Sequence, residues 1–396
     1  MEYDELDLPS PGSRVVVGMS GGVDSTLTAL LLKERGCQVT GVTMSMWADG
    51  DLPDLEEAST LKHLHDSCYG PGEKQDIEEC RAFCEEQGIP YHVIDVREAY
   101  RREVLQYFKD EYLAGRTPNP CIRCNHFIKF GALLFGLPAV GIEYDFFCTG
   151  HYAKVVRARE GIASSYGIAA CASAEGKERP AQIAVSSDKG KDQAYFLYRV
   201  PSHVLEKVRF PLGNMTKKDV FAMAEERGLK AASRAESQDF IPSEYFDALF
   251  ADVPSHPGNI TDLDGKVLGR HRGIEHYTIG QRRGLGISAK EPLYVAAINK
   301  ETNTVVLGTD GDLFSSGLVA SDMVWPASYN PRCSFDAEVK IRLASPPVRA
   351  RVTARSDGSC TVIFSDRQRA VAPGQSVVFY RDGVIAGGGI IDRAIP

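Results

Sequence analysis

The fold is decided by the stretch GMSGGVDS at Gly18–Ser25, which joins the first strand pattern of the chain to its first helical pattern. Arg14–Gly18 is a short β-branched run that predicts a strand. Leu27, Leu30 and Leu31 follow at a spacing that marks one face of a helix. Neighbouring glycines let backbone N–H groups approach an anion closely, and a helix that starts there adds the positive end of its dipole. The stretch therefore predicts a phosphate-binding loop between a strand and a helix.

Three further apolar runs extend this pattern as far as residue 150. They are Val39–Met44, Tyr91–Val96 and Phe146–Thr149, each bounded by Gly, Pro or charged residues. Helical patterns separate the strands, which is typical of a parallel sheet with helices on both faces. The predicted fold class of this part is α/β.

The side chains of the loop suit a nucleotide. Ser20 and Ser25 can donate to phosphate oxygens, and Asp24 suits a Mg²⁺ ion that bridges them. The GK[ST] sequence of the usual P-loop is absent, so transfer of a γ-phosphate is not indicated. The alternative is a serine-rich tight turn without a ligand, which the strand–loop–helix context disfavours.

Composition limits the classes of protein. The net charge of −8 gives no support for a nucleic-acid partner, which local basic patches would have to hold. No apolar run approaches the roughly 20 residues of a membrane span, and the start has no export pattern, so we expect a cytoplasmic protein. Ten cysteines in such a protein indicate catalytic or metal-binding sulfur rather than disulfides. We expect the scattered ones to be small buried hydrophobes: Cys37, Cys148, Cys171, Cys333 and Cys360.

A cysteine pair lies in the string TPNPCIRCN at Thr117–Asn125. Cys121 and Cys124 are spaced so that their sulfurs can reach each other, and we expect Arg123 and Lys129, with His126, to favour thiolates. A zinc site completed by Cys80 and Cys84 is the alternative. The helical spacing of that second pair disfavours it.

The second half of the chain is β-rich. Tyr294–Asn299 and Val305–Gly308 read as strands, and Ala337–Ile391 shows strands every ten or so residues, as small β-barrels do. Two basic clusters precede the barrel pattern and are candidate phosphate contacts: Arg270, His271 and Arg272, then Arg282 and Arg283.

Several short strings in one order connect the chain to a family. The phosphate loop resembles the SGGxDS motif of the ATP pyrophosphatases, and the whole set resembles the tRNA-specific 2-thiouridylases of that superfamily. The other strings are TPNPCxxCN, TGHYA at Thr149–Ala153, KDQAYFL at Lys191–Leu197, FPLG at Phe210–Gly213, YTIGQRRGLG at Tyr277–Gly286 and APGQS at Ala372–Ser376.

The resemblance implies a fold and an activity. It implies a parallel-sheet ATP pyrophosphatase (HUP-like) domain over 1–240, a small β-rich tRNA-binding domain over 241–312 and a C-terminal β-barrel over 313–396. The implied reaction is ATP-dependent 2-thiolation of the wobble uridine of tRNA, by adenylation of the C2 oxygen and sulfur transfer. ATP and Mg²⁺ would be the cofactors, and the partners would be a tRNA anticodon arm and a sulfur-donor protein, either a cysteine desulfurase or a relay.

The resemblance also assigns roles to residues. Cys124 would be the first catalytic cysteine, beside Cys121. The nucleotide would be held by Gly18, Met19, Ser20, Gly21, Gly22, Val23, Asp24, Ser25, Met44 and Gly150. The tRNA would be contacted by Asn119, Pro120, His151, Lys191, Asp192, Gln193, Arg342, Leu343 and Gln375.

One element of the family pattern is missing. The family carries a second catalytic cysteine in a string like SQ[DE]ICF, where this chain reads SQDFIP at Ser237–Pro242. Three accounts remain open: Cys121 and Cys124 share persulfide chemistry, they bind a [4Fe–4S] cluster with Cys68 as third ligand, or the protein binds tRNA without thiolating it. An amidating ligase of the same superfamily, which uses ammonia, is a further alternative.

Overall fold

The computed structural model describes residues 3–48, 67–158, 180–233, 240–241, 243–254, 256–326 and 334–396. Contacts group them into two compact units. The first unit holds the described residues up to 104 and those between 121 and 250, and the second holds 105–120 and those from 251 onward. Among the described residues, no helix is long and apolar enough to cross a membrane.

The first unit is built on a five-stranded parallel sheet. The described strands of this unit, inside and outside that sheet, are β1 (Tyr3–Glu5), β2 (Arg14–Gly18), β3 (Gln38–Ser45), β4 (Tyr91–Asp95), β5 (Phe146–Cys148), β6 (Ala153–Ala158), β7 (Gln182–Val185) and β8 (Val208–Arg209). The parallel order is β4-β3-β2-β5-β8, and β6 pairs antiparallel with β1 and with β7 outside this parallel sheet. The predicted α/β class is confirmed, and the four predicted strands match β2 to β5 within two residues.

Helices connect and cover the strands. They are α1 (Val23–Glu34), α2 (Glu73–Glu86), α3 (Arg97–Tyr100), α4 (Gln106–Leu113), α5 (Pro120–Arg123), α6 (Leu133–Gly136), α7 (Ala194–Leu197), α8 (Ser202–Leu205), α9 (Lys217–Glu226) and α10 (Ser243–Leu249). Arg101–Leu105 and Cys124–Ala132 are π-helical, and short 3₁₀ turns occupy Pro138–Val140, Lys230–Ser233, Ile274–His276 and Asp310–Leu313.

The core of the first unit explains the strand at its centre. Val15 and Val17 of β2 pack with Leu32 of α1 and with Cys80 and Cys84 of α2, all at most 1% exposed. A strand buried on both faces is expected to be a continuous apolar run rather than an alternating one. Cys80 and Cys84 are thus core residues, and no group of three or more metal-ligating side chains is found in the described part of the chain, so the zinc alternative is not supported.

The scattered cysteines behave as small hydrophobes where they can be described. Cys37, Cys148 and Cys360 are buried, as predicted. Cys171 and Cys333 lie outside the described residues.

The second unit contains a small sheet and a barrel. The sheet has the order β10 (Val267–His271), β9 (Gly258–Thr261), β12 (Thr304–Gly308) and β11 (Tyr294–Asn299). The barrel strands are β13 (Phe314–Val324), β14 (Ser334–Lys340), β15 (Val348–Ala354), β16 (Cys360–Arg369), β17 (Ser376–Arg381) and β18 (Val384–Ile395). They pair in the order β18-β13-β16-β15-β14-β17, and the pairing of β17 with β18 closes the barrel.

Alternation fills the barrel. Along β14 every second residue is buried, and Val339 lies in a cluster with Val352 and Val362 at 0% exposure. The pairing of β17 with β18 leaves no open edge among the described barrel strands, so no edge is left to pair with another chain. The predicted domain boundaries at 240 and 312 stay a prediction, because contacts place residues 251–396 in a single unit.

Candidate functional site

The phosphate loop takes its shape from two glycines. Gly21 has φ +75°, a left-handed conformation that side chains disfavour, and Gly22 precedes α1 in an extended conformation. Ser25 Oγ accepts from the backbone N–H of Ser20 at 3.2 Å and donates to the Gly22 carbonyl at 3.0 Å. The loop is therefore closed by its own serine at the first turn of a twelve-residue helix.

The acidic residue of the loop has fixed partners. Lys217 Nζ lies 2.9 Å from both carboxylate oxygens of Asp24, and the Tyr152 hydroxyl donates to Oδ1 at 2.9 Å. Lys217 is buried (8% exposed) and lies over the rings of Tyr152 and Phe221. One negative charge beside the predicted phosphate position is thereby neutralised from a helix about 190 residues away in the chain.

Gly150 cannot carry a side chain in this arrangement. A Cβ there would lie 2.7 Å from the backbone carbonyl carbon of Asp24 and 2.9 Å from its oxygen. The segment after β5 therefore packs directly on the first turn of α1, beside the phosphate loop.

A cavity of about 270 Å³ opens beside this loop, at the carboxyl ends of β2, β3 and β5. Ligands of open parallel sheets bind at this edge. Several residues that the sequence analysis named as site residues line this cavity: Gly18, Met19, Ser20, Asp24, Ser25, Met44, Cys68, Cys124, Gly150, His151 and Gln193. Gly21, Gly22, Val23 and Cys121 do not line it directly.

The cysteine side of the cavity is desolvated. Cys124 begins the π-helical stretch, a distortion frequent at functional sites, and lines the cavity together with Lys129. Burial raises the pKa of the Cys124 thiol to about 11, although the ammonium of Lys129 acts in the opposite direction. Burial and the neighbouring thiols of Cys68 and Cys124 raise the pKa of Cys121 to about 12.

The expectation that nearby cations favour thiolates is therefore wrong for this state of the protein. The guanidinium of Arg123 is directed towards other partners: it donates to the carbonyl and carboxylate of Glu103 and lies 4.2 Å from the Phe127 ring centre. Among the three side chains expected to favour thiolates, Lys129 is the one that lowers the thiol pKa values, and desolvation outweighs it.

His151 is held as a neutral ring. Burial, and then the charge of Lys129, lower its pKa well below the usual value. Lys129 Nζ lies 3.5 Å from Nε2, and Thr149 Oγ1 lies 2.7 Å from Nδ1. Since an ammonium can only donate, Nε2 accepts and Nδ1 carries the proton, which it donates to Thr149.

Cys68 lies near the other two cysteines on an anchored loop. The next residue, Tyr69, is fully buried, donates its N–H to the Phe240 carbonyl at 3.2 Å and stacks on Tyr100 at 5.1 Å. Burial and then the charges of Cys124, Cys68 and Cys121 raise the pKa of Tyr100, so the three sulfurs lie in the neighbourhood of its hydroxyl. They are not arranged as a metal site, however: no described group of three such ligands could hold a metal ion.

The string in which the family carries its second cysteine falls largely outside the described residues. Phe240 and Ile241 are described, and Ile241 is buried.

The predicted tRNA residues of the first unit differ in exposure. Lys191 is exposed. Asp192 accepts from the Ser186 N–H at 2.8 Å, and Gln193 accepts from the Tyr152 N–H at 2.9 Å, so both side chains also shape the site.

Gln375 in the second unit holds the segment that precedes the cysteine pair. Its Nε2 donates to the carbonyls of Thr117 and Pro118 at 3.1 and 2.9 Å, and the Thr117 N–H donates to Pro373 at 2.8 Å. Gly374 has φ +90° and touches Thr117 so closely that a Cβ would lie 2.8 Å from its oxygen.

The remaining predicted contacts lie at accessible positions. Asn119 and Pro120 are half-buried, and Leu343 is exposed in the turn after β14, beside half-buried Arg342. The arginines of the basic clusters are exposed: Arg270, Arg272, Arg282 and Arg283. His271 is different: it is 2% exposed and bonds the Asn303 carbonyl, so it belongs to the core.

Sequence reasoning missed Lys217, Tyr152 as a partner of Asp24, and Glu73. Glu73 lines the cavity, accepts from the N–H groups of Met46 and Trp47 at 2.8 and 3.0 Å, and has a pKa raised by burial. One signal was available for each of the other two: Tyr152 is part of the TGHYA string, and Lys217 follows the FPLG string by four residues.

Comparisons with known proteins agree with this architecture. Three family models match in succession: the tRNA methyl transferase HUP domain at residues 13–242, the tRNA methyl transferase PRC-barrel domain at 247–309 and the aminomethyltransferase β-barrel domain at 315–391.

Curated relatives match over nearly the full chain. A tRNA-specific 2-thiouridylase MnmA of Endomicrobium trichonymphae is 42% identical over 380 residues, which cover 96% of this chain and 98% of the relative. The proteins of the same name from Roseiflexus sp. and Clostridium perfringens are 40% and 38% identical, with 96% of this chain and 100% and 99% of those relatives covered. On this evidence the chain belongs to the tRNA-specific 2-thiouridylase family.

Proposed function

We propose that the protein is an ATP-dependent tRNA-uridine 2-sulfurtransferase that thiolates the wobble uridine. The observation that carries the proposal is the single cavity lined by both the phosphate loop and Cys124. An ATP pyrophosphatase that transfers sulfur needs its phosphate-binding loop and its sulfur nucleophile to reach the same substrate carbon. The relatives named above are 2-thiouridylases, which favours a uridine as the substrate that contains this carbon.

The first half-reaction would use the loop. Backbone N–H groups of Gly21 and Gly22, with the hydroxyls of Ser20 and Ser25, would bind the leaving pyrophosphate, and the α1 dipole would add to their effect. The uridine C2 oxygen attacks the α-phosphate, and pyrophosphate leaves. Gly150 and Met44 would border the nucleotide.

The residues fit Mg²⁺, which commonly keeps one or two carboxylates and takes its other ligands from phosphates and water. Asp24 is the carboxylate of the loop, and Glu73 and Asp76 also line the cavity. When bound, the ion would neutralise phosphate charge.

The second half-reaction needs sulfur at C2. A wobble base must leave its stack for this chemistry, and Asn119 and Pro120 beside Cys121 are the proposed cradle for it. Cys121 and Cys124 supply thiols for persulfide exchange. The three cysteines do not fit a preformed cluster site, so we derive no step through a [4Fe–4S] cluster.

The tRNA would be held by Lys191, His151, Arg342, Leu343 and the exposed arginines of the second unit. Phosphate contacts from Lys191 and the arginines would position the RNA and weaken with salt. A sulfur-donor protein, either a cysteine desulfurase or a relay, would complete the cycle.

The experiment is nucleoside analysis of tRNA after incubation with ATP, Mg²⁺, a cysteine desulfurase and cysteine. We expect 2-thiouridine and AMP in equal amounts, both dependent on ATP. Product nitrogen in place of sulfur would favour an amidating ligase, and tRNA binding without AMP would favour a protein that only binds tRNA. Anaerobic purification with iron and sulfide analysis would detect the cluster alternative.

A further inference from the structure

We propose that Cys68 is the cysteine that accepts sulfur from the donor, carries it as a persulfide into the cavity and forms a disulfide with Cys124 at the end of the reaction. The inference rests on the proposed function and adds to it a third sulfur position, with a defined order of events.

The first observation is position. Cys68 and Cys124 line the same cavity as Ser20 and Asp24 of the phosphate loop. A sulfur on Cys68 therefore faces the space in which an adenylated carbonyl would lie. The charge of a Cys68 thiolate raises the pKa of Cys121, of Cys124 and of Tyr100, as expected of groups that lie close together.

The second observation is access. Of the eight cysteines in the described part of the chain, Cys68 is exposed, Cys121 and Cys124 are half-buried, and the other five are buried. A donor protein must bring its own persulfide sulfur into contact with the accepting thiolate, which an enclosed thiol does not permit. Cys68 is exposed and satisfies this requirement, whereas Cys121 and Cys124 are only partly accessible.

The third observation is the mounting of the loop. Tyr69 is fixed between the rings of Trp47 and Tyr100, both with centres 5.1 Å away, and the Glu73 N–H bonds the Gly70 carbonyl at 3.2 Å. The backbone after Cys68 is thus anchored in an aromatic core while the cysteine itself is exposed. Such an arrangement suits a residue that meets a partner outside and a reaction inside.

The chemistry balances with thiols alone. The Cys68 thiolate attacks the terminal sulfur of the donor persulfide, whose S–S bond breaks and releases the donor thiol. The terminal sulfur on Cys68 then attacks C2, and AMP leaves with the oxygen. Cys124 attacks Cys68 Sγ, the S–S bond to the substrate sulfur breaks, and 2-thiouridine is released. Two thiols become one disulfide as the sulfane sulfur is reduced, and an external dithiol restores both thiols.

The test compares Cys68→Ser with the wild-type protein in two assays, with Cys37→Ser as the matched control in a buried thiol. With a cysteine desulfurase and cysteine, we expect thiolation by C68S to fall at least about 100-fold. With sodium sulfide, which attacks the adenylated carbon without a carrier, we expect C68S to thiolate within about threefold of wild type. Radiolabelled sulfur from the desulfurase should appear on the peptide that contains Cys68.

Other outcomes separate the two proposals. Wild-type protein that makes no 2-thiouridine with either sulfur source contradicts the proposed function itself. Wild-type thiolation with undiminished activity of C68S, or label on Cys121 or Cys124 in its place, overturns the role of Cys68 alone. Iron bound by wild type and lost in C68S would also overturn it, in favour of a cluster.

Discussion

The two sides of the cavity are prepared to different degrees. On the phosphate side, Ser25 closes the loop, Asp24 already has Lys217 and Tyr152 as partners, and Gly150 allows the backbones to touch. On the sulfur side, Cys121 and Cys124 are desolvated thiols with raised pKa values. The difference indicates that ATP meets a preformed site, whereas sulfur chemistry requires that substrates or a partner first change the surroundings of the thiols.

The largest expected effect comes from filling the contact at Gly150. Gly150→Ala would place a methyl group 2.7 Å from the Asp24 backbone and push apart the two segments that form the phosphate side. We expect ATP affinity to fall at least about 100-fold, consistent with a misplacement of about 1 Å at a binding loop. Equilibrium binding of ATP measures it. Gly190→Ala, where a Cβ meets only an ordinary 3.4 Å contact, is the control, and an unchanged affinity in G150A would show that the loop is not preformed.

A second change tests the charge pair. Lys217→Met leaves Asp24 uncompensated beside the phosphates, and we expect the KM for ATP to rise about 30-fold, since breaking a partly buried pair costs about 2 kcal/mol or more. In the double variant with Asp24→Asn, the penalty should be smaller than the sum of the two single effects.

The neighbouring exposed lysine gives the matched control for this cycle. Lys218→Met removes the same charge from the same helix, and its KM should stay near that of wild type. Strict additivity of K217M and D24N would contradict a direct interaction between the two side chains.

A third change tests whether the Cys124 thiol is protonated at neutral pH, as its raised pKa implies. Because the pKa of Cys124 lies near 11, its alkylation by iodoacetamide should be slow at pH 8 and accelerate as the pH rises towards that value. Lys129→Met removes the charge that lowers this pKa, so the pKa rises and alkylation at pH 8 slows by up to about tenfold. Mass spectrometry of the Cys124 peptide measures the rate. Lys129→Arg should restore the alkylation rate. A pH dependence of this rate with its midpoint near pH 7 would contradict a thiol with a raised pKa.

The smallest effect is expected where the barrel holds the segment before Cys121. Gln375→Ala removes two hydrogen bonds to Thr117 and Pro118, which contribute about 0.5 kcal/mol each, or about fivefold together. Hydrogen exchange at the Thr117 amide should speed up several-fold. Gln368→Ala, which removes a bond within a surface strand, is the control, and unchanged protection in Q375A would separate the barrel from this segment.

Much of the phosphate side could be predicted from sequence because its chemistry is local. Gly18–Ser25 contains both the backbone shape and the hydroxyls, and β2 and α1 flank it as their spacing predicted. The partner of Asp24 could not be predicted, because Lys217 reaches it only through the packing of α9 on α1.

The sulfur side was harder for a related reason. The charges near Cys121 and Cys124 in sequence suggested thiolates, but the pKa depends on burial and on where Arg123 points, which are tertiary properties. The barrel lies between these cases: strand patterns that recur every ten or so residues predicted it, whereas its closure through β17 and β18 required the structure.

The most direct test of the account measures both sides in one variant, Cys124→Ser. We predict that this variant binds ATP with wild-type affinity and forms no 2-thiouridine on tRNA, because the phosphate side is complete without the thiol. Thiolation that survives in Cys124→Ser would contradict the assignment of Cys124, and loss of ATP binding would contradict the independence of the two sides.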